Sequence, residues 1–311
     1  MSRIAVITHP ACRRHQMGSD HPDSPARLDV IQDRLLASGL DLELAQLQAR
    51  KAERKDFLSA HSEQLVSLVE QRIPDIGYAD LDGDTRLCPE SLQAIERAVG
   101  AGLTAVDEVL AGNIDAGFCA VRPPGHHASR EHSAGFCVYN NLAIAVRYAQ
   151  QQGIERIAIL DIDVHHGDGT QSIFADERNV LLCSLFQNPL YPNPEPVDRA
   201  NLIQSPLPPA SDGNDLRRLV ESQWLPALTH FAPQLIFVSA GFDGHLEDDM
   251  SALKFVEQDY AWFSQRLGEF AKAHGVLGIV SFLEGGYHLS ALARGVEHYL
   301  RGQLAAYEEQ Q

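Results

Sequence analysis

Residues 159–169 read ILDIDVHHGDG. The first half is apolar on both faces, as a strand in the middle of a helix-covered sheet must be. The second half is a run of carboxylates, imidazoles and glycines. On an extended chain Asp161, Asp163 and His165 share one face, because side chains alternate with a period of two. Burying two carboxylates and an imidazole together is costly unless a cation holds them. Aspartate and histidine are ligands for zinc or a related divalent ion. Taken alone, D-x-D-x-H also fits an exposed strand laced with salt bridges. The apolar flanks argue against such an edge.

Similar Val- and Ile-rich runs occur at Ile4–Thr8, 117–121, 157–163, 180–185, Leu235–Ala240 and 277–283. Amphipathic helical stretches lie between them, at 25–37, 90–111, 142–151, 216–230 and 256–274. The alternation predicts one α/β domain over residues 1–311, a doubly wound, mostly parallel sheet flanked by helices. No repeat, low-complexity tract or Gly/Ser linker divides the chain. In open parallel sheets, ligands bind outside the carboxyl ends of the strands. Four of the runs lead into polar clusters at those ends: RPPGHH after Val121, DIDVHH after Leu160, AGFD after Ser239 and EGGY after Leu283.

The bulk numbers suit a soluble protein. Of 311 residues, 44% are hydrophobic and 22% charged, enough apolar chain to fill a large core. Lys and Arg number 25 against 42 Asp and Glu, a net charge of −17. That balance argues against nucleic acid or an anionic membrane as a direct partner, and it also serves solubility alone. Five widely spaced cysteines (Cys12, Cys88, Cys119, Cys137 and Cys183) form no C-x-x-C pair, which points to a reducing compartment. The opening MSRIAVITHP is too short an apolar run for a signal peptide, and nothing reaches the roughly 18 apolar residues of a membrane span. The expected location is the cytoplasm.

The clusters carry the chemistry. Asp243, at the end of another strand, is the natural third ligand beside Asp163 and His165. Three protein ligands leave a position open for water and substrate, as catalytic zinc requires. His126 and His127 follow Pro123, Pro124 and Gly125, whose irregular backbone lets both imidazoles face one pocket. Histidine titrates near neutrality and is the usual proton carrier, and Asp161 and Asp168 are available to orient the pair. In EGGY, two glycines let Tyr287 approach the metal closely and donate to a developing oxyanion. Gly135 and Phe136 could form one wall of a narrow apolar slot and Phe186 the other, although Phe186 also suits the core.

Together these segments closely resemble the histone deacetylase family, including its bacterial amidohydrolase and acetoin-utilisation relatives. The resemblance rests on HPDSPARL (21–28), RPPGHHA (122–128), GFCVYNN (135–141), DIDVHHGDGT (161–170), SLF (184–186), SAGFDGH (239–245) and EGGY (284–287), in the family's order. It implies the arginase–deacetylase fold and zinc-dependent removal of acetyl or other short acyl groups from lysine side chains. By position it puts the metal ligands on Asp163, His165 and Asp243. The catalytic histidines fall on His126, buttressed by Asp161, and His127, buttressed by Asp168, and the transition-state phenol on Tyr287. The Glu-Gly-Gly-Tyr form looks more like the class II branch. The resemblance also implies a structural potassium ion, held by the side chains of Asp161 and Ser184 with carbonyls of Asp161, Asp163, His165 and Leu185. Arg27 matches an arginine of the acetate-exit region. Iron(II) is the alternative to zinc in the cell.

Polyamine-specific relatives carry a glutamate after the third ligand, where this chain has Met250, with Glu247, Asp248 and Asp249 close by. The loop near residues 15–21 is short as well. Both features lean toward an acetylated lysine peptide or protein rather than an acetylated polyamine. A binuclear ureohydrolase would need further carboxylates where SAGFDGH supplies only Asp243. A non-catalytic acyl-ligand binder would be expected to lack a ligand, a histidine or the tyrosine, and none is missing.

Overall fold

The computed structural model describes residues 3–308. Among the described residues ten strands run in chain order as β1 (Ile4–Thr8), β2 (Ala45–Gln48), β3 (Ala79–Asp80), β4 (Arg86–Leu87), β5 (Ala116–Cys119), β6 (Ile157–Asp161), β7 (Val180–Gln187), β8 (Leu202–Leu207), β9 (Leu235–Ala240) and β10 (Ile279–Leu283). Eight of them form one sheet in the order β2-β1-β5-β10-β9-β6-β7-β8, and every pairing in it is parallel. Strands β3 and β4 make a small antiparallel hairpin apart from it.

The central strands are buried at every position because helices cover the sheet. Helices Ser91–Leu110 and Asn141–Gln151 pack on each other, the first against β1, β5 and β10. Ala26–Ser38, Glu257–His274 and Leu289–Tyr307 form a second packed group. The sheet and its helices share one hydrophobic core. All five cysteines are free and buried. No helix among the described residues is long and apolar enough to cross a membrane.

Most of the expected strands and helices are present, with informative differences. The run 157–163 was expected to be strand throughout, with Asp161, Asp163 and His165 on one face. Strand β6 instead stops at Asp161. Side-chain carboxylates take the backbone donors that a further strand would need: Asp161 Oδ1 accepts the Asp163 N–H, Asp243 Oδ1 that of Val164, and Asp163 Oδ1 that of His165. The expected helix 216–230 is two helices, Gly213–Leu219 and Leu225–Phe231, joined by a wider π-turn at Val220–Trp224. Strand β2 alternates half-buried with exposed positions and β8 mixes buried with more open ones, as outer strands do, and both lack the continuous apolar signature. The helix Leu289–Tyr307 follows the EGGY motif so closely that the motif masks its start.

In the sheet order, β5, β10, β9 and β6 are consecutive neighbours. Their carboxyl ends lead into the four polar clusters, so residues from four distant parts of the chain meet at one rim.

Candidate active site

The loop after β5 is fixed before it delivers any chemistry. Arg122 is fully buried and donates twice to the carboxylate of Asp23, Nε to Oδ1 at 2.6 Å and Nη2 to Oδ2 at 2.9 Å. The Pro123 carbonyl accepts from Asn141 Nδ2 at 2.9 Å. A Cβ on Gly125 would stand 2.6 Å from the Asn141 nitrogen, so the backbone passes where only glycine fits. The N–H groups of Gly125 and His126 both donate to Oε2 of Glu284, at 2.7 and 3.1 Å. Glu284 is fully buried, and burial raises its pKa to about 7 against the pull of His126 and the Gly125 N–H.

The two imidazoles that follow lie with ring centroids 4.0 Å apart, and each faces its own carboxylate. His126 Nδ1 is 3.1 Å from Asp161 Oδ2, and His127 Nδ1 is 2.7 Å from Asp168 Oδ1. Each Nδ1–H is thereby committed, which leaves Nε2 for chemistry. Their electrostatics differ. Burial disfavours charge on His126, but Asp163 and Asp161 outweigh it and hold its pKa well above the ordinary value. Burial and the neighbouring His126 lower that of His127 to about 4, despite Asp168. At neutral pH, His127 is therefore the neutral imidazole of the pair.

Asp163, His165 and Asp243 converge beside them, each offering one ligand atom, all within 4.8 Å of one another. His165 Nδ1 is 3.1 Å from both Asp163 Oδ1 and Asp243 Oδ2. Two observations fit a divalent cation. First, glycines clear the space around the carboxylates. A Cβ on Gly285 would stand 2.0 Å from Asp243 Oδ2 and 2.7 Å from Asp163 Oδ2, and one on Gly241 2.2 Å from Asp163 Oδ2. Second, the site calls for positive charge. Burial and Asp163 push the Asp243 carboxyl up to about 6, while Asp163 and Asp243, acting against burial, hold His165 up at about 10. A nitrogen and two carboxylates suit zinc.

Tyr287 stands half-buried above this group, with Phe136 set edge-on at 5.8 Å between centroids and the Arg27 guanidinium 4.9 Å from its ring centre. Burial raises the phenol's pKa well above 10, so it carries its proton at neutral pH. Arg27 is fully buried and donates to the Gly286 carbonyl at 2.7 Å and to Asp23 Oδ1 at 2.8 Å. Asp248 Oδ2 accepts the N–H groups of Tyr287 at 2.6 Å and of His288 at 2.9 Å.

The slot differs from expectation on one side. Gly135 and Phe136 both have left-handed backbone, φ 55° and 68°, and Phe136 is half-buried against Tyr287. Phe186 does not oppose it. As part of β7 it is 3% exposed and packs on His166, with centroids 4.6 Å apart, so it offers almost no surface to a substrate. Tyr191 is instead the open aromatic beside the histidines, 43% exposed, its ring 5.2 Å from that of His127 and 6.3 Å from that of His165. Ser184 faces Asp161 in the β6–β7 register, and its Oγ is 3.3 Å from His166 Nδ1; Leu185 is buried in the same strand. Met250 is half-buried, its N–H accepted by Asp248 Oδ1 at 3.0 Å.

Sequence reasoning did not find Glu284, Asp248, Asp23 and Arg122 as supports, or Tyr191 as a wall. A glutamate closing the apolar run 277–283 was a signal for Glu284. For the others, only their partners reveal them.

The chain matches the model of the histone deacetylase domain over residues 21–303. The "Probable deacetylase" of Archaeoglobus fulgidus is 34% identical to it over 91% of this chain and 80% of its own length. The "Polyamine deacetylase HDAC10" of Homo sapiens is 34% identical over 94% of this chain and 46% of its own length. Among solved structures, the HDA15 HD domain superposes with a TM-score of 0.91, covering 100% of this chain and 92% of that one at 26% identity.

Proposed function

The chain belongs to the histone deacetylase family and is an amide-hydrolysing deacetylase, and we propose that it acts on acetylated lysine side chains of proteins or peptides, with zinc held by Asp163, His165 and Asp243. The observation that carries this reading is the meeting of two Asp-supported histidines with an Asp-His-Asp donor set, near a tyrosine that feels the charge of Asp243 and Asp163.

Bound zinc supplies Lewis acidity, polarising the amide carbonyl and lowering the pKa of a water to about 7. The chain's residues do the rest. His127 Nε2 takes the proton of the attacking water while Asp168 holds its Nδ1–H in place. The Tyr287 hydroxyl, protonated at neutral pH, donates to the oxygen on which charge develops. His127 then returns its proton to the leaving amine. His126, its Nδ1 held by Asp161 and its ring against that of His127, tunes the electrostatics around the base. Phe136 and Tyr191 flank the acyl-bearing stem and keep bulk water from it.

Met250 favours lysine over polyamine, because an apolar side chain there has no charge to offer a second ammonium. An acetylated polyamine is the second reading. The exposed carboxylate of Asp249 next to Met250 favours it, as does the likeness to a relative named for polyamine deacetylation. In the same reading one catalytic unit spans 1–311 and works in the cytoplasm, where its five free cysteines stay reduced. A potassium ion would use Asp161 and Ser184 with carbonyls of Asp161, Asp163, His165 and Leu185. Iron(II) suits the same donors, so metal analysis of the protein as isolated decides between the two.

The deciding assay is zinc-loaded hydrolysis of an acetyl-lysine peptide and N8-acetylspermidine side by side, with and without a hydroxamate. Peptide turnover that the hydroxamate blocks supports the lysine reading. Preference for acetylspermidine moves the substrate to polyamines and keeps the chemistry.

A further inference from the structure

The loop that begins at Asp243 ends against the turn that carries Tyr287, and a buried carboxylate joins them. Asp248 is 5% exposed, and its Oδ2 accepts the N–H groups of both Tyr287 and His288, at 2.6 and 2.9 Å. Its other oxygen closes its own loop by accepting the Met250 N–H at 3.0 Å. The same loop is pinned at its start, where the Ser251 hydroxyl donates to the Asp243 carbonyl at 2.8 Å. One short segment therefore connects a candidate metal ligand to the backbone of the phenol.

The residues beside Asp248 are clamped as well. His245, Glu247 and Glu257 bring ligand-type atoms within 4.8 Å of one another, but a guanidinium supplies the positive charge there. Arg294, on helix Leu289–Tyr307, donates from Nη2 to Glu247 Oε1 at 2.7 Å and from Nε to Glu257 Oε1. His245 Nδ1 accepts the Glu247 N–H at 3.1 Å, which leaves its Nε2–H facing Glu257 Oε1 at 3.5 Å. A metal at that nitrogen would need the proton elsewhere on the ring, so the cluster is an ionic clamp and not a second metal site. It ties the Asp248 loop to two long helices.

We propose that Asp248 is a positioning residue for Tyr287: it sets the distance between the phenol and the metal ligands, and Arg294 holds Asp248's loop in place. This rests on the reading of Tyr287 as the oxyanion donor. Two N–H bonds to one rigid carboxylate fix where the tyrosine backbone starts, and a misplacement of about 1 Å at a reacting group can cost about 10²-fold in rate.

The experiment compares Asp248→Asn, Tyr287→Phe and the double variant in the zinc-loaded full chain, with Asp176→Asn at an exposed surface carboxylate as control. Steady-state kinetics on an acetyl-lysine peptide and on N8-acetylspermidine, bound zinc and Tm are measured for each. Asp248→Asn keeps one acceptor oxygen and the side chain's shape, so it is the variant expected to fold; Asp248→Ala is the stronger perturbation. Asp248→Asn should lower kcat by about 10–100-fold with zinc retained and KM little changed, and Asp176→Asn should match the parent. In the Tyr287→Phe background the Asp248 change should have no further effect beyond about two-fold, because residues that act as a unit are not additive. A multiplicative loss in the double variant overturns the proposal, since Asp248 would then act by another route. Full activity of Tyr287→Phe alone overturns the oxyanion reading and the proposal with it. Loss of zinc in Asp248→Asn would show that the carboxylate serves Asp243 and not the phenol.

Discussion

A Cβ added to Gly135 would stand 2.4 Å from Cδ2 of His127 and 2.8 Å from its Cγ. The glycine expected as part of a substrate wall is what leaves the imidazole proposed as the base its place. Its φ of 55° adds a second reason, since that region strains residues with a side chain. Gly135→Ala should therefore lower kcat by about 10–100-fold with zinc still bound. Unchanged kinetics in this variant would show that His127 has room to move.

The neutral His127 and the protonated Tyr287 make separable contributions. His127→Ala should abolish turnover while leaving the zinc content intact, because the ligands lie on other residues. Tyr287→Phe should cost about 10²–10³-fold in kcat, the usual loss for an oxyanion donor. Steady-state kinetics with metal analysis on the same samples checks both, and full activity of either variant removes that residue from the mechanism.

Tyr191 and Phe186 should fail in opposite ways. Tyr191 is 43% exposed beside His127, so Tyr191→Ala should raise KM while shifting stability by no more than about 0.5 kcal/mol. Phe186 is 3% exposed against His166, so Phe186→Ala should cost about 3–5 kcal/mol of folding free energy. Denaturant unfolding beside kinetics separates them. A larger effect of Phe186→Ala on KM at unchanged stability would restore it as the wall.

His61 predicts an acid limb in stability. It is buried, its Nδ1 2.8 Å from the Ser129 carbonyl and its Nε2 accepting the Asn140 N–H at 2.9 Å, so a second ring proton has no partner. Burial is the main reason its pKa falls to about 4 from 6.5. The unfolded chain therefore takes up the proton first. Stability from the neutral ring is full above about pH 6.5 and is lost as pH falls toward 4. Buried His15, lowered to about 3, titrates in the same sense. Urea unfolding of His61→Gln between pH 7.5 and 5 should show a shallower pH dependence, by up to about 1.4 kcal/mol per pH unit. An equally steep decline would assign the limb to other groups.

Asp23 should be the most sensitive support. It lies fully buried between Arg27 and Arg122, its Oδ1 2.8 and 2.6 Å from their nitrogens. Burial alone would raise its pKa, but Arg122 and Arg27 reverse this and hold the carboxyl below its ordinary range. Asp23→Ala strands two guanidiniums in the interior and should cost about 3–5 kcal/mol. Denaturation of the variant checks this, and a loss under about 1 kcal/mol would mean that water reaches the pair.

The sequence by itself determined the parallel α/β architecture and the residues that meet at its rim. Apolar runs such as Leu235–Ala240 mark buried strands through local composition alone, and each polar cluster directly follows a run, so strand-end chemistry is a local property of the chain. The pairing of each histidine with its own aspartate followed from likeness to the family, and the residues that the structure brings together are those named by that likeness. Only the tertiary structure decided what supports and shapes the site. That β6 ends at Asp161 depends on carboxylates claiming backbone donors, one of them from Asp243, 79 residues away from the Val164 it binds. Glu284 under the histidine loop, Asp248 under Tyr287, and Asp23 between two arginines are ordinary acidic residues until the fold brings donors to them from distant segments. The exchange of Phe186 for Tyr191 has the same origin. Whether an aromatic lines a slot or fills a core depends on which side of the strand faces solvent, and neighbouring elements set that after the chain has folded.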